Sequence, residues 1–279
     1  MRPDDVSLVI SLCRARAGLK ISAEKTYLIE SRLSPVARRE GYESISELLA
    51  AIRTKREEPL IWGVVEAMTS GETAFFRDRA PFETFQKDIY PTLSRARGGE
   101  PIRVWSAACA AGQEVYSLAM LNEIMQAQDP GVRIELAASD ISTRALEQAQ
   151  SGIYSQFEVQ RGLPIRLLLK HFEKVGEQWR LSASLRRMVR WRRVNLIAGL
   201  AAVGRFDVVF CRNVLSGLEP PFQKKVLEDL TLVLPDDGFL ILGAKETAEA
   251  AGEAFSPVAA RPGLYRRNPA FRAAAAAAA

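Results

Sequence analysis

The sequence has few of the residues that most metal sites and nucleophilic sites require. Its 279 residues include one histidine, His171, and three cysteines, Cys13, Cys109 and Cys211. The cysteines are far apart in sequence, so no pair has zinc or redox spacing, and three are too few for a disulfide scaffold. We therefore expect no metal site and a reducing, cytoplasmic setting.

Long apolar runs and a strong excess of one charge are absent as well. The uncharged stretch 194–204 is far shorter than a membrane span, and residues 1–5 are too acidic for a secretory signal. The net charge is +5, and the excess lies in residues 151–200, where ten Lys and Arg stand against three Asp and Glu. This pattern predicts no membrane insertion and one local basic patch for an acidic partner.

The first part of the chain has the periodicity of helices. Apolar residues recur with helical spacing from Val6 to Cys13 and from Ile45 to Ile52. The run from Ser44 to Glu47 has capping-box spacing, and residues 27–41 should form a further helix. We expect a helical N-terminal domain over residues 1–80.

A connecting region and an α/β domain follow. Residues 81–100 are predicted to be a linker, because Tyr90-Pro91 should stop one segment and residues 97–101 should form a loop. Over residues 101–270 strands alternate with helices, which predicts a doubly wound, mostly parallel sheet. Residues 155–193 break that alternation and are predicted to be an inserted antiparallel β-subdomain. Residues 271–279 are a low-complexity tail.

The first strand–helix junction points to a nucleoside-containing ligand. Small residues and Gly112 end the first strand, so a ligand can approach the backbone and the free amides of the next helix. Asp140 ends the following strand, where an acidic residue accepts hydrogen bonds from ribose hydroxyls in nucleotide-binding sheets. The dinucleotide pattern G-x-G-x-x-G is absent, so these residues alone leave the nucleoside compound open.

Three segments resemble motifs of the CheR family of chemotaxis receptor methyltransferases. Residues 70–78, SGETAFFRD, resemble T-x-x-E-T-x-F-F-R-[DE]. Residues 104–117, VWSAACAAGQEVYS, contain a segment similar to W-S-A-A-C-S-T-G-E-E-P-Y-S, and residues 206–215, FDVVFCRNVL, are similar to F-D-[VA]-I-F-C-R-N-V-[LM]. The resemblance spans residues 1–267 in the right order.

The resemblance implies a helical domain followed by a class I methyltransferase domain. The implied cofactor is S-adenosyl-L-methionine, with S-adenosyl-L-homocysteine as the product. The implied reaction is esterification of glutamate side chains on the cytoplasmic helical domain of methyl-accepting chemoreceptors during signal transduction, by a monomeric protein-glutamate O-methyltransferase that binds no nucleic acid.

Matching positions imply two sets of site residues. The cofactor set comprises Gly71, Thr73, Arg77, Gly112, Glu114, Asp140, Asn195, Leu196, Arg212 and Asn213. Arg212 and Asn213 are also expected to position the substrate, with no general base. From the residues alone, Arg77 fits either a cofactor carboxylate or an interdomain salt bridge, and Asn213 could equally cap a strand end.

Two departures from the family pattern motivate an alternative function. Gly217 stands where the family has a tyrosine, and Lys245 stands where it has a serine. A chain altered in this way fits a cofactor-binding regulatory module of a chemosensory pathway without strong catalysis.

Two basic surfaces are candidates for partner binding. Arg32, Arg38 and Arg39 match the family's receptor-facing helix and fit an ordinary solvated face equally well. Residues 186–193 contain five arginines. This run fits an RNA-binding strand, and therefore an RNA methyltransferase, or an edge strand whose arginines protect it from aggregation.

Overall fold

A computed structural model describes residues 1–69 and 71–272. The chain divides into two compact units. The first comprises residues 1–70 and 216–223, and the second comprises residues 71–215 and 224–279. The low-complexity tail lies outside the described residues from position 273 onwards. The boundary near residue 70 falls ten residues before the predicted one.

Four helices form most of the first unit, as the apolar periodicity predicts. They are α1 Pro3–Ala17, α2 Thr26–Arg39, α3 Ile45–Lys55 and α4 Glu58–Met68. A 3-10 turn, Ala23–Lys25, precedes α2. The helices bury one apolar side each, including Val9 and Cys13 of α1, Leu33 of α2 and Leu48 of α3. Pro35 lies inside α2 and neither starts nor stops it.

Ser44 caps α3 as its spacing predicts. The Ser44 hydroxyl accepts a hydrogen bond from the Glu47 amide at 3.2 Å. The Glu47 carboxylate accepts one from the Glu43 amide at 3.0 Å, one residue earlier than in a capping box. The Glu47 amide in the first turn of α3 and the Glu43 amide just before the helix therefore both have side-chain partners.

A short segment from the second half of the sequence completes the first unit. Leu19 and Leu218 form an isolated antiparallel bridge. The Lys20 amide donates to the Gly217 carbonyl, and the Glu219 amide donates to the Gly18 carbonyl, both at 2.8 Å. Gly217, which stands where the family has a tyrosine, is thus held in place through its backbone carbonyl.

The second unit is built on a seven-stranded sheet. Its strands are β1 Ile102–Ala107, β2 Ile134–Asp140, β6 Val189–Arg193, β7 Val208–Cys211, β8 Phe239–Leu242, β9 Phe255–Pro257 and β10 Leu264–Arg267. Their order is β6-β2-β1-β7-β8-β10-β9. The first five pair in parallel, and β10 and β9 add antiparallel strands at one edge.

Helices and a small second sheet complete this unit. The helices are α5 Ala80–Thr84, α6 Tyr90–Arg97, α7 Gln113–Gln128, α8 Thr143–Ser151, α9 Gln156–Gln160, α10 Ile165–His171, α11 Ala183–Arg187 and α12 Pro220–Val233, whose first residues belong to the first unit. Short 3-10 turns cover Leu196–Ala198, Leu215–Gly217 and Glu249–Ala254. The small antiparallel sheet contains β3 Ile153–Ser155, β4 Phe172–Val175 and β5 Gln178–Leu181 in the order β3-β5-β4.

The predicted linker is helical, which corrects the sequence-based expectation for residues 81–100. Helix α5, a π-helical turn Phe85–Ile89 and α6 run almost without a break. Pro91 lies in the first turn of α6, directly after the π-helical turn, and does not stop the segment. Phe82, Phe85 and Leu93 are buried in the main core of this unit.

The last strand of the predicted inserted subdomain belongs to the main sheet. β6 pairs in parallel with β2 from Val189 opposite Leu136 to Arg193 opposite Asp140. The antiparallel subdomain therefore ends before β6, and its true sheet comprises β3, β4 and β5. Alternation of apolar and basic residues fits an edge strand of either sheet, so the sequence could not decide between them.

No helix among the described residues is long and apolar enough to span a membrane.

Candidate active site

The loop after β1 is made of small residues held in a left-handed backbone. Ala108, Ala110 and Gly112 have φ of 55°, 49° and 90°. A Cβ on Gly112 would lie 2.9 Å from the Ala149 Cβ and 3.2 Å from the Trp191 ring. Glycine is therefore required here by both conformation and packing, and α7 begins directly after it.

Asp140 fixes this loop from the end of β2. The carboxylate is buried and accepts hydrogen bonds from the Ala110 amide at 2.8 Å and from the Ser142 amide at 2.9 Å. The sequence predicts Asp140 at a ribose-binding position. The structure adds that the same carboxylate fixes the loop that ends β1.

A chain of charged groups links β1, β7 and the 71–79 segment. Ser106 donates to Glu114 at 2.8 Å, and Glu114 accepts from the Arg212 guanidinium at 2.9 Å. Arg212 also pairs with Asp78 at 2.8 Å and donates to the Arg77 carbonyl at 2.9 Å. Its side chain is 1% exposed. The predicted cofactor residue Glu114 is thus also a structural partner of Arg212.

The segment 71–79 contacts the sheet domain mainly through its aromatic residues. Phe75 is buried, with its ring centroid 5.1 Å from that of Tyr154, and the Phe76 amide donates to Ser117 at 2.8 Å. The partly exposed Arg77 side chain donates to the Glu72 carbonyl at 3.1 Å, and Glu72 in turn pairs with Arg161 at 2.5 Å. Arg77 forms no interdomain salt bridge among the described residues.

The two remaining predicted residues of this segment, Gly71 and Thr73, lie at least partly at the surface. Gly71 is exposed, and a Cβ on it would meet nothing within 4 Å. Thr73 is partly exposed. Both stay predictions as cofactor contacts.

Asn213 lies just after the end of β7, and a hydrogen bond connects its backbone to the turn that follows β8. Its φ is 62°, and its amide donates to the buried Glu246 carboxylate at 2.6 Å. The same carboxylate oxygen accepts from the Gly243 amide at 2.9 Å. Glu246 therefore holds the turn after β8 against the Asn213 backbone, and the role of the Asn213 side chain stays a prediction.

Asn195 and Leu196 follow β6 at the same edge of the sheet. The Asn195 side chain accepts a hydrogen bond from the Ile197 amide at 3.3 Å and caps the short 3-10 turn. Leu196 is buried. β2 and β6 run in parallel, so these residues and Asp140 leave the sheet at neighbouring strand ends.

The thiols near these strand ends are poor nucleophiles. Cys109 and Cys211 are buried, and burial raises the pKa of each thiol well above its ordinary value. Both therefore stay protonated near neutral pH. His171 is buried at the end of α10, with its Nδ1 3.7 Å from a Glu123 carboxylate oxygen, so it belongs to the inserted subdomain and not to this edge.

The structure gives the N-terminal arginines different surroundings. Arg32 donates to the Met68 carbonyl at 2.8 Å and to the Thr69 carbonyl at 3.2 Å, so it caps the end of α4. Arg39 pairs with Glu40 at 2.8 Å. Arg38 is exposed. A partner-binding role for these three residues stays a prediction.

The arginine run 186–193 serves mainly the fold. Arg192 donates to the Ala202 carbonyl and Arg193 to the Ile141 carbonyl, both at 2.9 Å. Arg190 faces Glu135 at 3.6 Å. β6 is thus an edge strand, and Arg192 and Arg193 fix neighbouring loops, whereas protection from aggregation stays a prediction.

Comparison with known proteins decides the family. Residues 4–69 match the domain described as "CheR methyltransferase, all-alpha domain", and residues 71–264 match "CheR methyltransferase, SAM binding domain". This chain belongs to the CheR methyltransferase family. It is an S-adenosylmethionine-dependent methyltransferase of chemotaxis, and this result favours methyl transfer over a regulatory module.

Relatives match the CheR chain over nearly its whole length. "Chemotaxis protein methyltransferase 1" of Pseudomonas aeruginosa is 35% identical over 90% of this chain and 92% of that protein. "Chemotaxis protein methyltransferase 1" of Vibrio cholerae is 35% identical over 90% and 91%. A solved glycopeptide N-methyltransferase, MtfA complexed with sinefungin, aligns over 63% of this chain and 52% of that chain with a TM-score of 0.37 and 14% identity.

The site residues fit S-adenosylmethionine. The loop after β1 consists of small residues with Gly112 at a φ of 90°, and the Asp140 carboxylate stands at the strand end that suits ribose hydroxyls. Among residues 1–69 and 71–272 no three His, Cys, Asp or Glu side chains cluster as a metal site.

Sequence reasoning missed two residues of the CheR site. Asp78 pairs with Arg212, and Glu246 holds Asn213. Asp78 lies inside a segment that resembles a family motif, so its carboxylate beside Arg77 was the available signal, whereas Glu246 lies outside the three motif segments. Their partners lie 134 and 33 residues away in sequence, and local patterns do not predict such pairs.

Proposed function

We propose that this CheR enzyme is a protein-glutamate O-methyltransferase whose acceptors are glutamate side chains on the cytoplasmic helical domain of methyl-accepting chemoreceptors. The observation that carries the proposal is the convergence of the family motif residues at one edge of the parallel sheet. There the Asp140 carboxylate accepts a hydrogen bond from the Ala110 amide of the loop after β1, and Glu114, in the helix that follows this loop, pairs with Arg212. The names of the relatives supply the link to chemotaxis.

A glutamate acceptor suits the chemistry of this edge. A glutamate carboxylate is ionised near neutral pH and needs no general base to become nucleophilic. S-adenosylmethionine supplies, when bound, a methyl group that is activated by a sulfonium charge. The protein's task is therefore to orient two reactants and to keep water away.

The residues divide this task between them. Asp140 and the backbone from Ala108 to Gly112 hold the nucleoside part of the cofactor. Arg77, whose side chain is partly exposed and whose carbonyl accepts a hydrogen bond from Arg212, binds the cofactor's carboxylate. Arg212 keeps the 71–79 segment against β7 through its bonds to the Arg77 carbonyl and Asp78, and Asn213 positions the acceptor.

The test is transfer of a labelled methyl group from S-adenosylmethionine to the soluble cytoplasmic fragment of a chemoreceptor. We expect label that mild base releases as methanol, because carboxylate esters hydrolyse and N-methyl groups do not. The Asp140→Ala variant should lose this transfer. Cofactor binding by the wild type without base-labile label on any receptor fragment would reject a glutamate acceptor.

A further inference from the structure

Lys245 is an exposed cation whose role the proposed reaction leaves open. It lies in the turn that follows β8, between Gly243 and Glu246. The Glu246 amide donates to the Gly243 carbonyl at 2.9 Å, which closes this turn. The sequence places lysine here where family members have serine, so the charge is a property of this chain.

The turn that carries Lys245 is held against the end of β7. The buried Glu246 carboxylate accepts hydrogen bonds from both the Gly243 amide and the Asn213 amide. A Cβ on Gly243 would lie 2.6 Å from the Asn213 Nδ2, so the Asn213 side chain packs directly on the turn. The backbone of Lys245 is therefore fixed beside a residue proposed to position the acceptor.

The Lys245 ammonium has no partner among the described residues. It is exposed, and no hydrogen bond or ion pair engages it there. By contrast, the lysines of α12 pair with acidic residues one turn away, Lys224 with Glu228 at 3.8 Å and Lys225 with Asp229 at 2.6 Å. Lys245 thus offers a cation on a fixed backbone at the carboxyl edge of the sheet.

We propose that Lys245 binds a second carboxylate of the acceptor, one that neighbours the glutamate to be methylated. This inference rests on the proposed glutamate methylation. The chemistry argues against contact with the reacting carboxylate itself, because an ammonium there would hold the electron pair that must form the new C–O bond. A neighbouring carboxylate keeps its charge throughout the reaction, so the ion pair persists from the encounter to the product.

An interaction that has the same strength in the ground state and in the transition state changes KM and leaves kcat unchanged. We therefore expect Lys245→Ser to raise KM for the receptor fragment about fivefold at low salt, as one partly exposed ion pair allows. Lys245→Glu should raise KM further, whereas Lys245→Arg, which keeps the positive charge, should leave KM near the wild-type value. The affinity for S-adenosylhomocysteine, measured by calorimetry, should not change in any of these variants.

The control variant is Lys87→Ser. Lys87 is an exposed lysine of the same unit that pairs with Glu83 alone among the described residues, at 3.4 Å, and the substitution changes the net charge by the same amount. We expect it to leave KM for the receptor fragment unchanged. A rise equal to that of Lys245→Ser would show a general charge effect and overturn the proposal.

A double-mutant cycle decides whether the pair exists. Once the methylated glutamate is mapped, its acidic neighbours three and four positions away on the same helix are changed singly to glutamine. One of these changes should raise KM in the wild-type enzyme and have no effect in Lys245→Ser. Additive effects at every neighbour would overturn the proposal for Lys245.

The two proposals fail in different ways. No base-labile label from the wild type on any receptor fragment rejects glutamate methylation itself. Normal transfer by the wild type, with KM unchanged in Lys245→Ser and Lys245→Glu, rejects the role of Lys245 only.

Discussion

The loop after β1 and the turn after β8 both follow parallel strands of one sheet, yet their constraints differ. The first, residues 108–112, is buried over most of its length, and its glycine packs against Ala149 and Trp191. The second, residues 243–246, is fixed from beneath by Glu246 but exposes Ala244 and Lys245. Internal packing thus restricts which residues can replace those of the loop after β1. The exposed part of the turn after β8 can accept a charged residue such as Lys245.

The largest effect should come from the buried Arg212, which links the 71–79 segment to Glu114. Arg212→Ala leaves Glu114 and Asp78 without their common cation, and we expect a loss of about 3–5 kcal/mol in the free energy of unfolding. Denaturant titration measures it. Arg97→Ala is the matched control, since Arg97 also pairs with two carboxylates, Asp207 and Asp237, but is 23% exposed. Equal losses in the two variants would contradict the importance of burial.

Removal of the Asp140 carboxylate should weaken the binding of the cofactor and not that of the acceptor. Asp140→Ala should weaken S-adenosylhomocysteine about 100-fold, because charge-assisted hydrogen bonds to ribose and to the Ala110 amide are lost together. Calorimetry gives the Kd. Asp140→Asn keeps the shape of the side chain and should show an intermediate loss, whereas full affinity in Asp140→Ala would exclude the ribose-binding role.

The glycine of the cofactor loop offers a direct measure of packing. Gly112→Ala should cost about 2–3 kcal/mol of stability, because the left-handed φ and the contact with Ala149 both oppose a Cβ. Gly99→Ala is the control, since Gly99 has a φ of 94° but nothing within 4 Å of a Cβ. It should cost only the conformational part, about 1 kcal/mol. Thermal unfolding of the pair gives the difference, and equal costs would contradict tight packing at Gly112.

The smallest effect on stability is expected at Gly217. A Cβ there meets nothing within 4 Å, so Gly217→Tyr should change the free energy of unfolding by less than about 0.5 kcal/mol. We expect kcat with the receptor fragment to rise, because the variant regains the ring that family members have. Gly217→Ala adds a Cβ without the ring and serves as the control. A wild-type kcat that already equals that of Gly217→Tyr would show that the tyrosine is dispensable in this chain.

The sequence predicted those parts of the fold that local patterns determine. The apolar stripes predicted α1 and α3, and the buried run before Arg212 predicted β7. Local patterns did not reveal which sheet β6 joins, because alternation of apolar and basic residues is the same in both. Local patterns also gave Pro91 the wrong role, because they predicted that it stops a segment. A proline that ends one helix and a proline that begins another look alike in sequence.

The site was predictable as a set of positions and not as a set of contacts. Asp140 was predicted from its place at the end of a strand, and Glu114 and Arg212 from family motifs, whereas the ion pair of Arg212 with Asp78 depends on segments that meet only in the folded chain. The same holds for Glu246, whose two hydrogen bonds explain why Asn213 adopts a left-handed backbone. Such pairings arise from packing between distant segments and leave no periodic signal in the sequence.

The proposed methylation of glutamate side chains by this CheR enzyme can be tested on a chemoreceptor cytoplasmic fragment. After reaction with S-adenosylmethionine, peptide mapping by mass spectrometry locates the methyl groups. We expect single methyl groups on glutamate residues that lie beside other acidic residues, all of them removed by mild base. Methyl groups on lysine, arginine or glutamine that survive the base treatment would contradict it.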